Sequence, residues 1–169
     1  MAEALKKRTV QKYYRCIVKG ELREKTHLKG YLSKDEQNNK VKVVSHIRPE
    51  EKADYLPIET EYRPVAVSNG YTELEVHLIT GRSHQIRAHL AYLGRPVLGD
   101  IKYGNRKMNE RTGTKTQALC AVRVTFLDIP EENTLHYLSG KVVKLKDPQI
   151  VKQFDALDKS KNSEENHPA

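Results

Sequence analysis

Apolar and polar residues alternate along much of the first half of the chain, with the period of half-buried β-strands. The strands predicted on this basis are residues 13–18, 27–32, 41–47, 58–67 and 72–79. Residues 34–40 include Asp35 and two asparagines and predict a turn. Ser68-Asn69-Gly70 predicts a tight hairpin between the last two strands, because Asn-Gly tolerates the positive φ angles that such turns require.

The pattern changes to a helical period after residue 80. Ile86, Leu90 and Leu93 recur at i, i+4 and i+7, so one stripe of a helix is expected to face a core. Ser83 is predicted as the N-cap of this helix and Gly94 as its end.

The second half of the chain is patterned less regularly. The expected elements are a loop over 103–117, a strand over 119–127 with a change of face or a bulge, a hairpin of 135–138 with 141–145 about Ser139-Gly140, and a helix over 150–157. Residues 2–8 are expected to end a helix that begins outside the chain. Residues 159–169 are expected to form a disordered or frayed tail to a single domain over residues 1–158.

Successive strands joined by short turns, with few helices between them, predict the fold class. We expect an α+β fold with a mixed, mainly antiparallel sheet, and a doubly wound parallel sheet is disfavoured.

Composition narrows the class of protein. The 169 residues are 37% hydrophobic and 31% charged, which is typical of a soluble globular domain. No apolar run is long enough to span a membrane and the first ten residues are too charged for a secretory signal, so we expect a cytoplasmic protein. Cys16 and Cys120 each lie among β-branched residues and are expected to be buried thiols rather than a disulfide or a catalytic cysteine.

The formal net charge of +8 is unevenly distributed. Residues 1–52 carry 14 Lys+Arg against 7 Asp+Glu, and residues 82–123 carry 9 against 2, while the other segments are acidic. Two basic zones in one chain favour a polyanionic partner, and the alternative is a merely basic, soluble surface.

Three segments together resemble a known family. They are Gly-Arg-Ser-His-Gln-Ile-Arg at 81–87 with Pro-Val-Leu-Gly-Asp at 96–100, Lys-Tyr-Tyr-Arg-Cys-Ile-Val-Lys-Gly at 12–20, and Gln-Ala-Leu-Cys-Ala at 117–121. Taken in chain order, they are similar to the motifs of the RluA-type pseudouridine synthases, which act on ribosomal and transfer RNA. The similarity runs from residue 9 to about residue 148, and Cys120 stands where the family commonly has histidine.

One family motif is missing. The resemblance implies a catalytic aspartate in a His-Arg-Leu-Asp motif upstream of the tyrosine motif, but only thirteen residues precede Tyr14 and none forms that motif. The chain is therefore expected to be the C-terminal part of a catalytic domain that lacks its nucleophile and is inactive alone. Asp100 is expected to cap or brace a loop.

The resemblance implies roles for two catalytic residues. Tyr14 would pack on the flipped uracil and assist removal of its C5 proton, and the alternative is an ordinary strand tyrosine in a core. Arg82 would pair with the missing aspartate through its planar guanidinium, and the alternatives are phosphate binding or a solvated loop position.

The other candidate residues are expected to bind substrate. Leu119 would form an apolar wall against the base, or is simply a core leucine. His84, Gln85 and Arg87 would contact substrate or RNA phosphate, and for Gln85 and Arg87 holding the turn is the alternative. The remaining candidates, expected to meet the RNA backbone or to lie on a solvated loop, are Lys102, Arg106, Lys107, Arg111 and Lys115.

The family chemistry requires neither a cofactor nor a metal. His84 and His89 are five residues apart, which disfavours two imidazoles on one helical face and hence a metal-dependent enzyme. The main hypothesis is an RNA pseudouridine synthase, and the alternative is an RNA-binding module without catalytic activity.

Overall fold

The computed structural model describes residues 9–162, with side chains up to Leu157. The strands are β1 (Val10–Lys19), β2 (Thr26–Asp35), β3 (Lys40–Val44), β4 (Leu56–Ser68), β5 (Tyr71–Leu78), β6 (Leu119–Phe126) and β7 (Val142–Lys144). The α-helices are α1 (Gln85–Tyr92), α2 (Arg106–Arg111) and α3 (Gln149–Asn162), and Pro49–Glu51 and His136–Leu138 form 3-10 turns.

The seven strands of the described residues form one sheet in the order β3-β2-β4-β5-β1-β6-β7. All six strand pairings are antiparallel. The predicted α+β class with a mainly antiparallel sheet is confirmed. No helix among the described residues is long and apolar enough to cross a membrane.

The hairpin between β4 and β5 is confirmed. Asn69 and Gly70 have φ angles of 53° and 76°, and Ser68 pairs with Tyr71 across the turn. Two successive positive φ angles belong to the type I′ turn, whose twist matches that of the two strands.

The predicted irregularity in the 119–127 strand is a β-bulge. Tyr13 of β1 pairs with Arg123 of β6, whereas Tyr14 pairs with Ala121, so Val122 is an extra residue. Apolar side chains on both sides of this bulge can therefore face the same side of the sheet.

Helices cover the two sides of the sheet. Cys16 and Val18 of β1 pack with Ile86 and Leu90 of α1, and we call this side, which also carries Tyr14, the front face. Ile17 packs with Ile150 and Phe154 of α3 on the opposite side, which we call the back face. Because neighbouring strand residues project to opposite sides, β1 contributes to both cores.

The end of α1 is as predicted but its start is not. Gly94 has φ 71°, and the N–H groups of Gly94 and Arg95 donate to the carbonyls of Ala91 and Leu90, which forms a Schellman motif. The prediction of Ser83 as N-cap is wrong. His84 occupies the cap position with φ 54°, and its side chain makes no cap hydrogen bond. The turn before the helix is held instead by the Gln85 Oε1, which accepts from the Arg82 N–H.

Two predicted elements in the second half are wrong. The loop over 103–117 contains α2, whose first turn is capped by Asn105 accepting from the Met108 N–H. Residues 135–138 contain the 3-10 turn His136–Leu138 instead of a strand, because Leu135 and Leu138 pack on Val10, Phe126 and Ile129. Strand β7 pairs with β6 and not with that segment.

The chain ends and the cysteines differ in part from the expectations. Helix α3 extends past residue 157 to Asn162 and so overlaps the predicted tail, of which residues 163–169 lie outside the described part. The helix expected at residues 2–8 also lies outside it. Both cysteines are free thiols: Cys16 is buried, which raises its pKa, and Cys120 is only half-buried, contrary to the expectation for it.

Candidate functional site

Tyr14 and Leu119 are neighbours on the front face. Both are half-buried and pack against the apolar cluster beneath α1. They belong to adjacent strands, where Tyr14 pairs with Ala121 and Cys16 pairs with Leu119. The structure thus brings together an aromatic ring and an apolar side chain that the sequence places more than one hundred residues apart.

The turn that carries Arg82 stands beside the same part of the face. Lys12 precedes Tyr14 by two residues and so shares its side of β1. A Cβ atom built on Gly81 would lie only 2.8 Å from the Lys12 Nζ, so the lysine side chain reaches the Gly81-Arg82 turn. Arg82 is exposed, and within residues 9–162 its guanidinium makes no hydrogen bond or ion pair. The arrangement leaves a cation free beside the Tyr14 face.

No carboxylate of the described aspartates meets Arg82. Six aspartates have described side chains, and only Asp100 is buried. The exposed ones are Asp35, Asp54, Asp128, Asp147 and Asp155.

Gln85 holds the turn from within the core. It is 2% exposed, and its Nε2 donates to the Glu59 carbonyl at 3.0 Å and to Thr60 Oγ1 at 2.9 Å. Its Oε1 accepts from the Arg82 N–H at 3.1 Å and from Thr80 Oγ1 at 2.8 Å. All its side-chain hydrogen-bonding capacity is thus used inside the protein, which matches the turn-holding alternative rather than phosphate contact.

His84 links the start of α1 to a neighbouring loop and strand. Its Nδ1 lies 2.9 Å from the Tyr103 hydroxyl, which also accepts from the Val41 N–H at 2.9 Å. Partial burial, reinforced by Arg87 and Lys102, lowers the pKa of His84, so the imidazole is neutral near pH 7.

Arg87 and Asp100 form a bidentate ion pair. The Arg87 Nε and Nη2 donate to Asp100 Oδ2 and Oδ1 at 2.7 and 2.9 Å, and the Asp100 side chain is fully buried. Burial alone would raise the pKa of Asp100, but the hydrogen bonds from Arg87 and from the N–H groups of Tyr103 and Lys102 outweigh it and lower the pKa. The expected loop-bracing role of Asp100 is confirmed, and Arg87 serves the same brace.

His89 is a core histidine. It is 2% exposed and its Nδ1 lies 3.1 Å from Thr60 Oγ1. Burial lowers its pKa to about 4. His84 and His89 therefore serve different partners, and no three His, Cys, Asp or Glu side chains within the described residues are grouped to hold a metal ion.

The five basic candidates of residues 102–115 are not gathered at Tyr14. The Lys102 ammonium donates to the Asn39 carbonyl, and Arg106 pairs with Glu110 at 2.7 Å. Lys107 is exposed on α2. Arg111 and Lys115 line a cavity on the back face.

Sequence reasoning missed Lys12 and Tyr103. Lys12 connects β1 to the Arg82 turn, and its place two residues before Tyr14 in a strand was the available signal. Tyr103 joins His84, Val41 and the Arg87 guanidinium, which lies 5.1 Å from its ring centre. No local pattern indicates that role, because its partners come from three separate segments.

Comparisons with known proteins agree with the motifs. Residues 1–92 match the family model described as RNA pseudouridylate synthase. The chain is 30% identical over 159 residues to ribosomal large subunit pseudouridine synthase C of Vibrio cholerae, covering 94% of this chain and 46% of that protein. It is 35% identical over 100 residues to an uncharacterized RNA pseudouridine synthase of Chloroflexus aurantiacus, covering 59% of this chain and 29% of the relative. The chain thus spans less than half the length of these relatives.

Solved structures share the fold. Human RNA pseudouridylate synthase domain containing 1 superposes with a TM-score of 0.71 at 19% identity, covering 99% of this chain and 70% of that one. Human RNA pseudouridylate synthase domain containing 4 gives a TM-score of 0.66 at 20% identity, covering 92% and 65%. With the family model matched over more than half of its residues and the motifs in place on the sheet, this chain belongs to the RNA pseudouridylate synthase family.

Proposed function

We propose that this chain forms the RNA-binding, tyrosine- and arginine-bearing part of an enzyme that isomerises uridine to pseudouridine in ribosomal or transfer RNA. The observation that carries the proposal is the placement of Tyr14 and Leu119 side by side on the front face, next to the turn with Arg82, whose guanidinium has no partner among the described residues. The family name and the names of the relatives supply the reaction class.

The reaction requires groups that the front face and its neighbouring turn provide. Uridine must leave the base stack, lose its glycosidic bond with the help of a carboxylate, rotate, and rejoin the sugar through carbon. Tyr14 offers a ring for the flipped uracil and a hydroxyl near its C5 proton, and Leu119 closes the apolar side. Arg82 holds the carboxylate ionised through a bidentate contact.

The carboxylate itself has to be supplied from outside these 169 residues. Asp100 is committed to Arg87, and the exposed aspartates with described side chains form no ion pair with Arg82. The His-Arg-Leu-Asp motif that the family carries is not in this sequence. The chain alone therefore converts no uridine, and a polypeptide that adds this motif does.

RNA is the expected macromolecular partner, and the cytoplasm the expected compartment. The basic zone of residues 82–123 keeps exposed cations after its internal pairs are formed, among them Arg82 and Lys107. Such cations neutralise phosphates and release counterions, so binding depends on salt.

The test separates binding from conversion. The chain is incubated with a uridine-containing RNA stem-loop, binding is followed by fluorescence anisotropy, and pseudouridine is sought by mass spectrometry of the digested RNA. We expect binding without conversion. In a longer polypeptide that supplies the His-Arg-Leu-Asp motif, Arg82→Ala should lower conversion about a hundredfold or more, while RNA affinity changes less than about threefold.

Arg48→Ala is the matched control, because Arg48 is an exposed arginine whose partners are Glu50 and Glu51 in its own turn. Pseudouridine formed by the chain alone would contradict the missing-nucleophile part of the proposal. Equal losses of binding and conversion in Arg82→Ala would make Arg82 a phosphate ligand instead.

A further inference from the structure

A second recess lies on the back face, away from Tyr14. It has a volume of about 610 Å³ and is bounded by α3, by the segment that follows α2, and by the turn between β4 and β5. Ile17 of β1 forms part of its floor. Because Tyr14 and Ile17 are an odd number of residues apart on one strand, their side chains project to opposite sides of the sheet. The recess is therefore separate from the Tyr14 face.

Three cations line this back-face recess. Lys19, Arg111 and Lys115 line it and are exposed, and their side chains make no hydrogen bond or ion pair within the described residues. No carboxylate is among the described side chains that line it.

Two other cations of the same face are paired. Arg15 meets Glu73 at 2.7 Å, and Arg63 meets Glu75 at 2.9 Å. Like charges gathered around one concavity repel each other unless an anion joins them. Within the described part of the chain the positive charge at the recess is uncompensated, which favours a ligand with a negatively charged group.

The floor and one wall of the recess are apolar. Ile17 and Leu98 belong to the back-face core, and Tyr71 and Leu157 pack against it. Hydroxyl groups of Thr112 and Thr114 stand on the same side as the cations. A complementary ligand carries an anionic group, a polar central part and a flat apolar part. The volume of the recess is within the usual range for small-molecule sites.

We propose that the back-face recess binds a nucleoside monophosphate unit, with its phosphate on Lys19, Arg111 and Lys115 and its base on the apolar floor. The unit is either a free nucleotide or the 5′-phosphorylated end of an RNA. This assigns Arg111 and Lys115 to a site of their own rather than to the RNA held at Tyr14.

The experiment measures the affinity of the whole 169-residue chain for several probes by isothermal titration calorimetry at low salt. The probes are adenosine monophosphate, adenosine, inorganic phosphate, and adenylate hexamers with and without a 5′-phosphate. We expect adenosine monophosphate to bind at least about tenfold more tightly than adenosine or phosphate, because only it meets both parts of the recess. A hexamer that competes with adenosine monophosphate only when it is 5′-phosphorylated identifies an RNA end as a ligand. A phosphorylated hexamer that does not compete shows that the ligand is the free nucleotide.

Two variants test the two parts of the recess. Arg111→Gln with Lys115→Gln removes two charges at the rim, and Ala156→Trp fills the space from an exposed position of α3. Each should weaken the binding of adenosine monophosphate at least about tenfold.

Each variant has a matched control. Arg106→Gln with Lys107→Gln removes the same charge from α2, and Val151→Trp adds the same ring to α3, in both cases at residues that do not line the recess. These controls should stay within about twofold of the parent chain, and circular dichroism checks that all variants are folded.

Absence of nucleotide binding overturns the proposal. Equal losses in the two charge variants would make the effect general electrostatics and overturn it as well. So would adenosine monophosphate binding that Ala156→Trp leaves unchanged, since the recess would then take no part.

Discussion

Removal of the Arg87 guanidinium should lower the free energy of unfolding rather than weaken the binding of RNA. The Asp100 side chain is fully buried, and its Oδ2 has Arg87 Nε as its hydrogen-bond donor. Oδ1 keeps the N–H groups of Lys102 and Tyr103 at 2.8 and 3.0 Å. Arg87→Ala therefore leaves a buried charge with one oxygen unpaired, and breaking such a pair costs about 3–5 kcal/mol.

The reciprocal change should cost less. In Asp100→Asn the side-chain oxygen can still accept from the two backbone N–H groups, and Arg87, with 16% of its side chain exposed, keeps some access to water. We expect a loss of about 1–3 kcal/mol. The double variant should lose less than the sum of the single variants, with a coupling energy of about 2 kcal/mol, because the two residues act as one unit.

The effect of Arg87→Ala should depend on pH. In the parent protein the pKa of Asp100 is lowered, so its contribution to stability is present above the unfolded-state pKa of about 3.9 and is lost as the pH falls through the lower folded-state pKa. Without Arg87, burial raises this pKa, and the carboxyl takes up a proton as the medium is acidified. The deficit of the variant is then largest near neutral pH and shrinks toward about pH 4.

Urea unfolding followed by circular dichroism measures these free energies, with RNA affinity measured on the same samples. Arg106→Ala is the control, since it breaks an exposed i, i+4 pair with Glu110 and should cost under about 0.5 kcal/mol. The reasoning is refuted if Arg87→Ala unfolds like the parent protein but loses RNA affinity, because Arg87 would then be an RNA ligand.

Three further predictions concern the core, a glycine and the charge. Burial holds the pKa of His89 near 4, so the folded state keeps this imidazole neutral. The contribution of His89 to the free energy of unfolding should therefore be fully present above about pH 6.5 and should fall by about 3 kcal/mol as the pH drops to 4. A urea-unfolding series in which His89→Gln shows the same pH slope as the parent would contradict this. Gly99→Ala should be severely destabilising, because a Cβ atom would lie 2.0 Å from the Thr116 carbonyl oxygen. Gly70→Ala, with a similar positive φ but open space around it, should lose only about 1–2 kcal/mol. Equal melting temperatures for the two alanine variants would exclude the clash as the cause. RNA affinity should fall at least about tenfold between low and moderate salt, and an affinity that does not change would argue against phosphate contacts.

Local chemistry made much of the fold predictable. The alternation of apolar residues indicated β1 to β5, Asn69-Gly70 indicated their last hairpin, and Gly94 indicated the end of α1. Each of these signals acts within a few residues, through side-chain period or the φ angle that a residue tolerates. The family motifs were readable for the same reason, since each is a contiguous segment.

The errors arose where distant contacts override local preference. Residues 135–138 are patterned like a strand but close a 3-10 turn over Val10 and Phe126, and β7 joins β6 instead. Serine is a residue type that is favoured at N-caps, which is why the sequence predicts Ser83 there. In the structure, however, Gln85 holds the turn through partners on β4. A sequence shows which residues prefer a cap or a strand, but not which partner lies within reach.

The sequence by itself determined that this is an antiparallel α+β domain of a pseudouridine synthase family, with Tyr14 in a strand and Arg82 at a turn. Only the tertiary structure decided which polar side chains of residues 82–87 form hydrogen bonds or ion pairs inside the described protein and which do not. Gln85 and Arg87 are bound to β4 and Asp100, whereas the Arg82 guanidinium has no partner among the described side chains. It also decided that Arg111 and Lys115 lie on the back face. The physical reason is that strand pairing and side-chain alternation over long sequence distances select the neighbours of each side chain.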